Sequence, residues 1–197
     1  MCYSGVCMDE LCDRLASGVD DAFSELVTTH QDLVYGVALR ALGDRSAAED
    51  VAQETFIRAH RALKAYPPGR IRELRVRPWL ARIALNTAHN HRRDAGPVTA
   101  ALAAAASHAE PTAGPVRLAE RNEERRFWAG LLARLPERYR LAVALRHVEC
   151  LSYPELAEAL DRPLGSVKSD VHRGVRLLRA AYEAELRLVE RKEAVAG

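Results

Sequence analysis

Apolar residues recur along most of this chain at the three-to-four spacing of an α-helix, and nowhere do they alternate long enough to make a strand. From Ala22 to Leu42, Phe23, Leu26, Val27, Leu33, Val34, Val37, Ala38 and Ala41 trace a long amphipathic helix, which Gly43 ends. Ser46 and Glu49 form an S-x-x-E capping box that opens a second helix, about Ala47 to Ala65. Its Val51, Thr55, Ala59 and Leu63 can face inward, with Asp50, Gln53, Glu54 and Arg58 nearer solvent. Pro67, Pro68 and Gly69 break the chain into a loop, Arg70 to Arg77. Pro78 suits the first turn of the next helix, Trp79 to about Arg93, which buries Leu80, Ile83 and Ala84.

Beyond Asp94 the pattern lapses. To about Leu118 the chain is rich in alanine, glycine and proline and poor in large apolar residues, which reads as a linker. Helical spacing resumes near Ala119 with Phe127, Trp128, Leu131, Leu132 and Leu135, stops at Pro136, and returns from Tyr139 to Glu149. Ser152 to Arg179 then reads as two helices and a tight break. Ser152 and Glu155 make a capping box for about Tyr153 to Leu160; Pro163 and Gly165 interrupt; Ser166 can cap a second helix. Val167, Val171, Val175 and Leu178 lie on one side of that helix, and Lys168, Ser169, His172, Arg173 and Arg176 on the others. This is a helix-turn-helix, apolar behind and basic in front; the blander reading is an ordinary helical hairpin. The last helix runs on to about Glu190. The expected fold is all-α: two small helical domains, 9–94 and 119–190, joined by a flexible linker, 95–118, with a disordered N-terminus, 1–8, and a tail, 191–197.

Charge sharpens this picture. Residues 9–60 hold 4 basic and 11 acidic side chains, residues 61–93 hold 9 and 1, and residues 162–179 hold 5 and 1. Two separated basic blocks suit a polyanion, and the acidic block suits a basic or polar protein partner or a plain solvated surface. Asn, His and Arg side chains at the end of the Trp79–Arg93 helix are what base edges and phosphates need, and equally suit a solvated helix end. The three cysteines Cys2, Cys7 and Cys12 are spaced five apart and have no histidine at ligand spacing, so they read as incidental residues of a mobile N-terminus, with a redox or metal role as the alternative. Cys150 reads as a small buried hydrophobe. No phosphate loop, dinucleotide fingerprint, H-E-x-x-H or G-x-S-x-G occurs, so no catalytic residue, cofactor or metal is expected. Charge breaks every apolar run before membrane-spanning length, and no leader pattern opens the chain; no membrane insertion and a cytoplasmic location are expected. Met8, followed by an acidic helical pattern, is an alternative start.

Three stretches in order carry a resemblance: AEDVAQETFIRAHRAL (48–63), PWLARIALNTAHNHRRD (78–94) and LPERYRLAVALRHVECLSYPELAEALDRPLGSVKSDVHRGVRLLR (135–179). Together they resemble the extracytoplasmic-function sigma factors of bacterial RNA polymerase, over about Ala22–Asp94 and Glu120–Ala180. The resemblance implies a sigma-2-like and a sigma-4-like domain that bind core RNA polymerase, through its β′ clamp and β subunits, and promoter DNA. Asp50, Gln53 and Glu54 match the polymerase-docking positions. Arg75, Arg77, Asn86, His89, Asn90 and Arg93 match the segment that melts and reads the minus-10 element. Ser166, Lys168, Ser169, His172, Arg173 and Arg176 match the minus-35 reader. Asp170 stands where a basic residue is usual and Val175 where arginine is common, so these two positions are expected to set this protein's promoter choice. An anti-sigma factor is a further partner the family implies. The alternative reading is a stand-alone helix-turn-helix transcriptional regulator, which leaves the first ninety or so residues unexplained.

Overall fold

A computed structural model describes residues 6–94, 124 and 126–196. Helices α1 (Val6–Ser17), α2 (Val19–Leu42), α3 (Arg45–Ala65), α4 (Pro68–Arg72) and α5 (Val76–Asp94) form an N-terminal bundle. A helical stretch at 126–133, then α6 (Glu137–His147), α7 (Tyr153–Ala159) and α8 (Leu164–Ala196) form the C-terminal one. There is no strand among the described residues, so the all-α expectation holds. The linker, 95–118, lies outside the described residues. Of the expected disordered N-terminus, Val6–Met8 belong to α1, and of the expected tail, 191–196 continue α8; residues 1–5 and 197 lie outside the described residues.

Helix α2 is the centre of the first bundle. Leu26, Val34, Val37 and Ala38 on its inner face are fully buried, packed with Val51, Ala59 and Leu63 of α3 and Leu80, Ala84 and Ala88 of α5. Leu11, Cys12 and Leu15 of α1 close one side, so Cys12 is a core residue of a helix, its thiol 3.6 Å from the Leu74 carbonyl, and not part of a mobile end. Two buried threonines interrupt the apolar stripes without cost in unmet polar groups: Thr55 donates to the Val51 carbonyl at 2.7 Å and Thr87 to that of Ile83 at 2.8 Å. At the α2–α3 corner Gly43 adopts φ 76°, and its N–H closes on the Leu39 carbonyl. The cap of α3 is Asp44, not Ser46: Asp44 is extended and accepts from the Ala47 amide at 2.8 Å, and a carboxylate meets the positive helix end better than a hydroxyl. The arginine loop is tighter than its sequence implies, since Ile71 is apolar enough to bury and winds 68–72 into one helical turn.

In the second bundle Leu141, Leu145, Leu151, Leu156, Val167 and Val171 share a core that is continuous with that of the first. Phe127 and Trp128 are instead half-exposed, Trp128 stacked on Tyr182 of α8. Cys150 is exposed, with φ 55°; this left-handed residue turns the chain so that Leu151 can bury completely and its amide can reach the Leu145 carbonyl. The expected burial fell one residue short of the one that goes in.

Helix α8 crosses α6 at Gly174. A Cβ there would stand 2.5 Å from Val143 Cγ2 and 3.1 Å from the Tyr139 carbonyl. Overpacking of this kind costs about 1–3 kcal/mol, against roughly 1 kcal/mol gained in helix propensity. Gly174→Ala should therefore unfold at lower urea than the parent. Gly130→Ala, where nothing lies within 4 Å, should unfold at the same urea or higher. Equal shifts for the two variants would refute the close approach.

Candidate nucleic-acid interface

The α7–α8 pair forms a helix-turn-helix. Ser152 and Glu155 complete the capping box expected of them: the Ser152 amide donates to Glu155 Oε2 at 2.7 Å and the Glu155 amide to Ser152 Oγ at 3.4 Å. Asp161 takes φ 52° in the turn, where a short polar side chain tolerates the left-handed region, and the Asp161 and Arg162 amides close back on the Glu158 and Ala157 carbonyls. Helix α8 starts at Leu164, so Ser166 sits inside its first turn, half-buried, and does not cap it. Val167, Val171 and Gly174 point inward, three positions at one helical face. That turns Lys168, Ser169, His172, Arg173 and Arg176 outward together, all exposed. None of the five makes an ion pair among the described residues; Lys168 lies 5.9 Å from the Tyr153 ring.

Val175, expected inward, is 42% exposed, because the helix is turned by the Gly174 contact. Asp170 is the larger correction. Its side chain is 1% exposed and faces inward, bonded by Arg138 Nε at 2.8 Å and paired with Arg162. It does not face DNA. A carboxylate can occupy this buried position only because two guanidinium groups arrive from α6 and the turn. Val175 thus remains on the outer surface, and Asp170 leaves it.

The second basic block is arranged along α5 and the segment before it. Asn86 and Arg93 are exposed, and Arg93 donates to Asn90 Oδ1 at 3.1 Å. Arg75, Arg77 and His89 are already engaged by the C-terminal bundle. Arg75 lies 3.2 Å from Glu158, Arg77 donates to the Glu149 carbonyl at 2.6 Å, and His89 lies 3.2 Å from Glu137. Two further cations that the motif alone does not single out join them: Arg92 makes a two-pronged contact with Glu137 at 2.9 and 3.0 Å, and Arg82 pairs with Asp161 at 2.7 Å. Burial works against the Glu137 carboxylate, yet Arg92 and His89 outweigh it and hold its pKa below the usual value. Beneath Arg77, His30 is 4% exposed, and burial together with that guanidinium lowers its pKa to about 4, so it stays neutral.

A stacking surface beside the arginine turn was also missed by sequence reasoning. Arg70 lies 3.8 Å over the Tyr66 ring, whose centroid is 6.3 Å from that of Trp79. The signal was the pair of aromatics flanking Pro67–Arg77, and such planes accept unpaired bases. On the far side, Asp50 and Gln53 are exposed and Glu54 half-exposed, its carboxylate 2.7 Å from Arg58. With Ile57, 46% exposed, they make one outward stripe on α3.

Residues 26–97 match the family Sigma-70 region 2 and residues 129–178 match Sigma-70, region 4. RNA polymerase sigma-H factor of Pseudomonas aeruginosa is 35% identical over 188 residues, 90% of this chain and 95% of that one. ECF RNA polymerase sigma factor SigW of Bacillus subtilis is 30% identical over 84% of this chain and 91% of its own. The chain belongs to the extracytoplasmic-function sigma factors. Among solved structures, CnrH in complex with the cytosolic domain of CnrY aligns with a TM-score of 0.62 and 27% identity, covering 89% of this chain and 97% of that one. The protein is thus an RNA polymerase sigma factor that directs transcription initiation.

No group of side chains able to hold a metal ion, and no helix long and apolar enough to cross a membrane, occurs among the described residues. In this sigma factor Asp170 is a structural anchor of α8. Asp170→Lys, toward the basic residue usual in relatives, would bury an ammonium between Arg138 and Arg162; breaking a buried pair costs about 3–5 kcal/mol. Urea unfolding of the full chain should lose at least about 2 kcal/mol, since the two arginines can still turn to water. A variant of parental stability that binds DNA more tightly would show that Asp170 faces outward after all.

Proposed function

We propose that the sigma factor binds core RNA polymerase through Asp50, Gln53 and Glu54 of α3, reads the minus-35 element with Ser166, Lys168, Ser169, His172, Arg173 and Arg176 of α8, and melts and reads the minus-10 element with the 70–93 segment. One observation carries this reading: Val167, Val171 and Gly174 tie down one face of α8, so the cationic and polar residues of the other stand free together. A helix so presented fits the major groove, where lysine and arginine donate to guanine and serine or histidine to either base. The N-terminal unit, 9–94, and the C-terminal unit, 119–190, act as two reading ends across the 95–118 linker. The Tyr66–Trp79 surface, with Arg70 over it, takes unpaired bases near Arg75 and Arg77. Asn86, His89, Asn90 and Arg93 supply donors along the opened strand.

No chemistry is performed by the chain itself: it lends promoter choice to a polymerase that makes the RNA, and so works in the cytoplasm. CnrH was solved with the cytosolic domain of another protein, which supports an anti-sigma factor as a third partner here. A stand-alone regulator reading gains nothing from the structure and leaves the region 2 match without a purpose.

Purified chain and core polymerase should yield discrete transcripts from a subset of a genomic promoter library; a complete lack of sigma-dependent transcripts overturns the reading. In the same system Asp50→Lys should abolish co-purification with core while its circular dichroism matches the parent. Arg173→Ala should weaken promoter binding by about 1–3 kcal/mol if it reads a base, or flatten the salt dependence by about one unit if it meets phosphate. An Arg173→Ala protein with parental affinity and parental salt slope places Arg173 off the interface.

A further inference from the structure

One acidic residue, Asp170, interrupts the basic block 162–179, and two arginines meet it. A single guanidinium would balance its charge. Arg162, in the turn before α8, is suited to that: its side chain is only 27% exposed and pairs with Asp170 Oδ2. Arg138, near the start of α6, is placed differently. Its Nε donates to Asp170 Oδ1 at 2.8 Å, while its side chain stays 53% exposed. We propose that Arg138 is a further DNA contact of the minus-35 face, a guanidinium that Asp170 positions against a backbone phosphate at the edge of α8. The inference rests on the reading of α8 given above.

Three observations support a phosphate contact over a purely structural pair. The first is the donors left over. Arg138 gives Asp170 its Nε–H, and its two Nη groups make no hydrogen bond among the described residues. Those groups are the ones that meet a phosphate, and a guanidinium held by its Nε is already oriented to do so. The second is position. Asp170 follows exposed Ser169 and lies three residues before exposed Arg173, so its Cβ is about 5–6 Å from that of Arg173. The guanidinium bound to it therefore stands on the border between the face tied down by Val167, Val171 and Gly174 and the face proposed to read bases. A helix with its side chains is about 10–12 Å across and the major groove about 12 Å wide, so a seated helix has a strand backbone along each edge. The third is charge. Two guanidinium groups and one carboxylate leave the cluster at a net single positive charge, so the buried acid does not repel the strand. Arg162 supplies the balance and Arg138 the surplus.

The test follows binding of the full chain against salt by anisotropy, on two dye-labelled duplexes. One spans the minus-35 region of a promoter that the protein transcribes, and the other has the same composition in scrambled order. Arg138→Gln should flatten the slope of log affinity against log salt by about one unit on both duplexes. The ratio of promoter to scrambled affinity should stay within about twofold of the parent's, because a phosphate contact carries no sequence information. Arg162→Gln also removes one partner of Asp170, yet should keep the parental slope. A buried carboxylate short of a partner destabilises the fold, so Arg138→Gln is also made together with Asp170→Asn, where no acid is left unmet. Against Asp170→Asn alone it should again flatten the slope by about one unit, and this comparison decides if the single variant fails to fold by circular dichroism. A slope that Arg138→Gln leaves unchanged, or one that Arg162→Gln flattens equally, overturns the contact. Transcription with core polymerase separates the two levels. Promoter-specific transcripts from the parent with no change of slope in Arg138→Gln remove only this contact, whereas no transcripts from the parent remove the proposed function itself.

Discussion

The inner stripe of α2 is the constraint on which the rest of the molecule bears. Leu26, Val34, Val37 and Ala38 are taken from water by three neighbours at once, and a fully buried leucine or valine stabilises by about 1.5–3 kcal/mol. Helices α3 and α5 are therefore not free to rotate. Because Val51, Thr55 and Ala59 must face α2, Asp50, Gln53 and Ile57 must face out; because Ala84, Leu85 and Ala88 must, Asn86, His89 and Arg93 must not. The polar faces are set by the apolar ones. Where α2 lacks a side chain, at Gly36, the C-terminal bundle makes contact with it as well.

Much of this was legible from residue spacing. Helical periodicity marks α2, α3, α5, α6 and the α7–α8 pair, and the glycine stop at Gly43 and the capping box at Ser152 occur as local chemistry dictates. What escaped was whatever depends on a partner from elsewhere in the chain. Ser46 fits a capping pattern as well as Asp44 does, and only the entry angle of the chain from Gly43 decides between them. Asp170 reads as a surface charge until Arg138, thirty-two residues earlier, is seen to meet it. Gly174 resembles any helical glycine until Val143 lies against it, and its contact is what swings Val175 outward. Arg75, Arg77 and His89 match minus-10 positions by resemblance, yet nothing in their sequence announces the partners that the C-terminal bundle sets opposite them.

The two kinds of ion pair in this molecule differ in what they can do. Asp170, sealed from solvent, has no alternative partner: water cannot reach it, and its arginines fix α8 in one orientation. The pairs between the bundles stand near the surface. Each such pair contributes about 0.2–1 kcal/mol and is screened by salt, so none of them fixes a side chain as the Asp170 pair does.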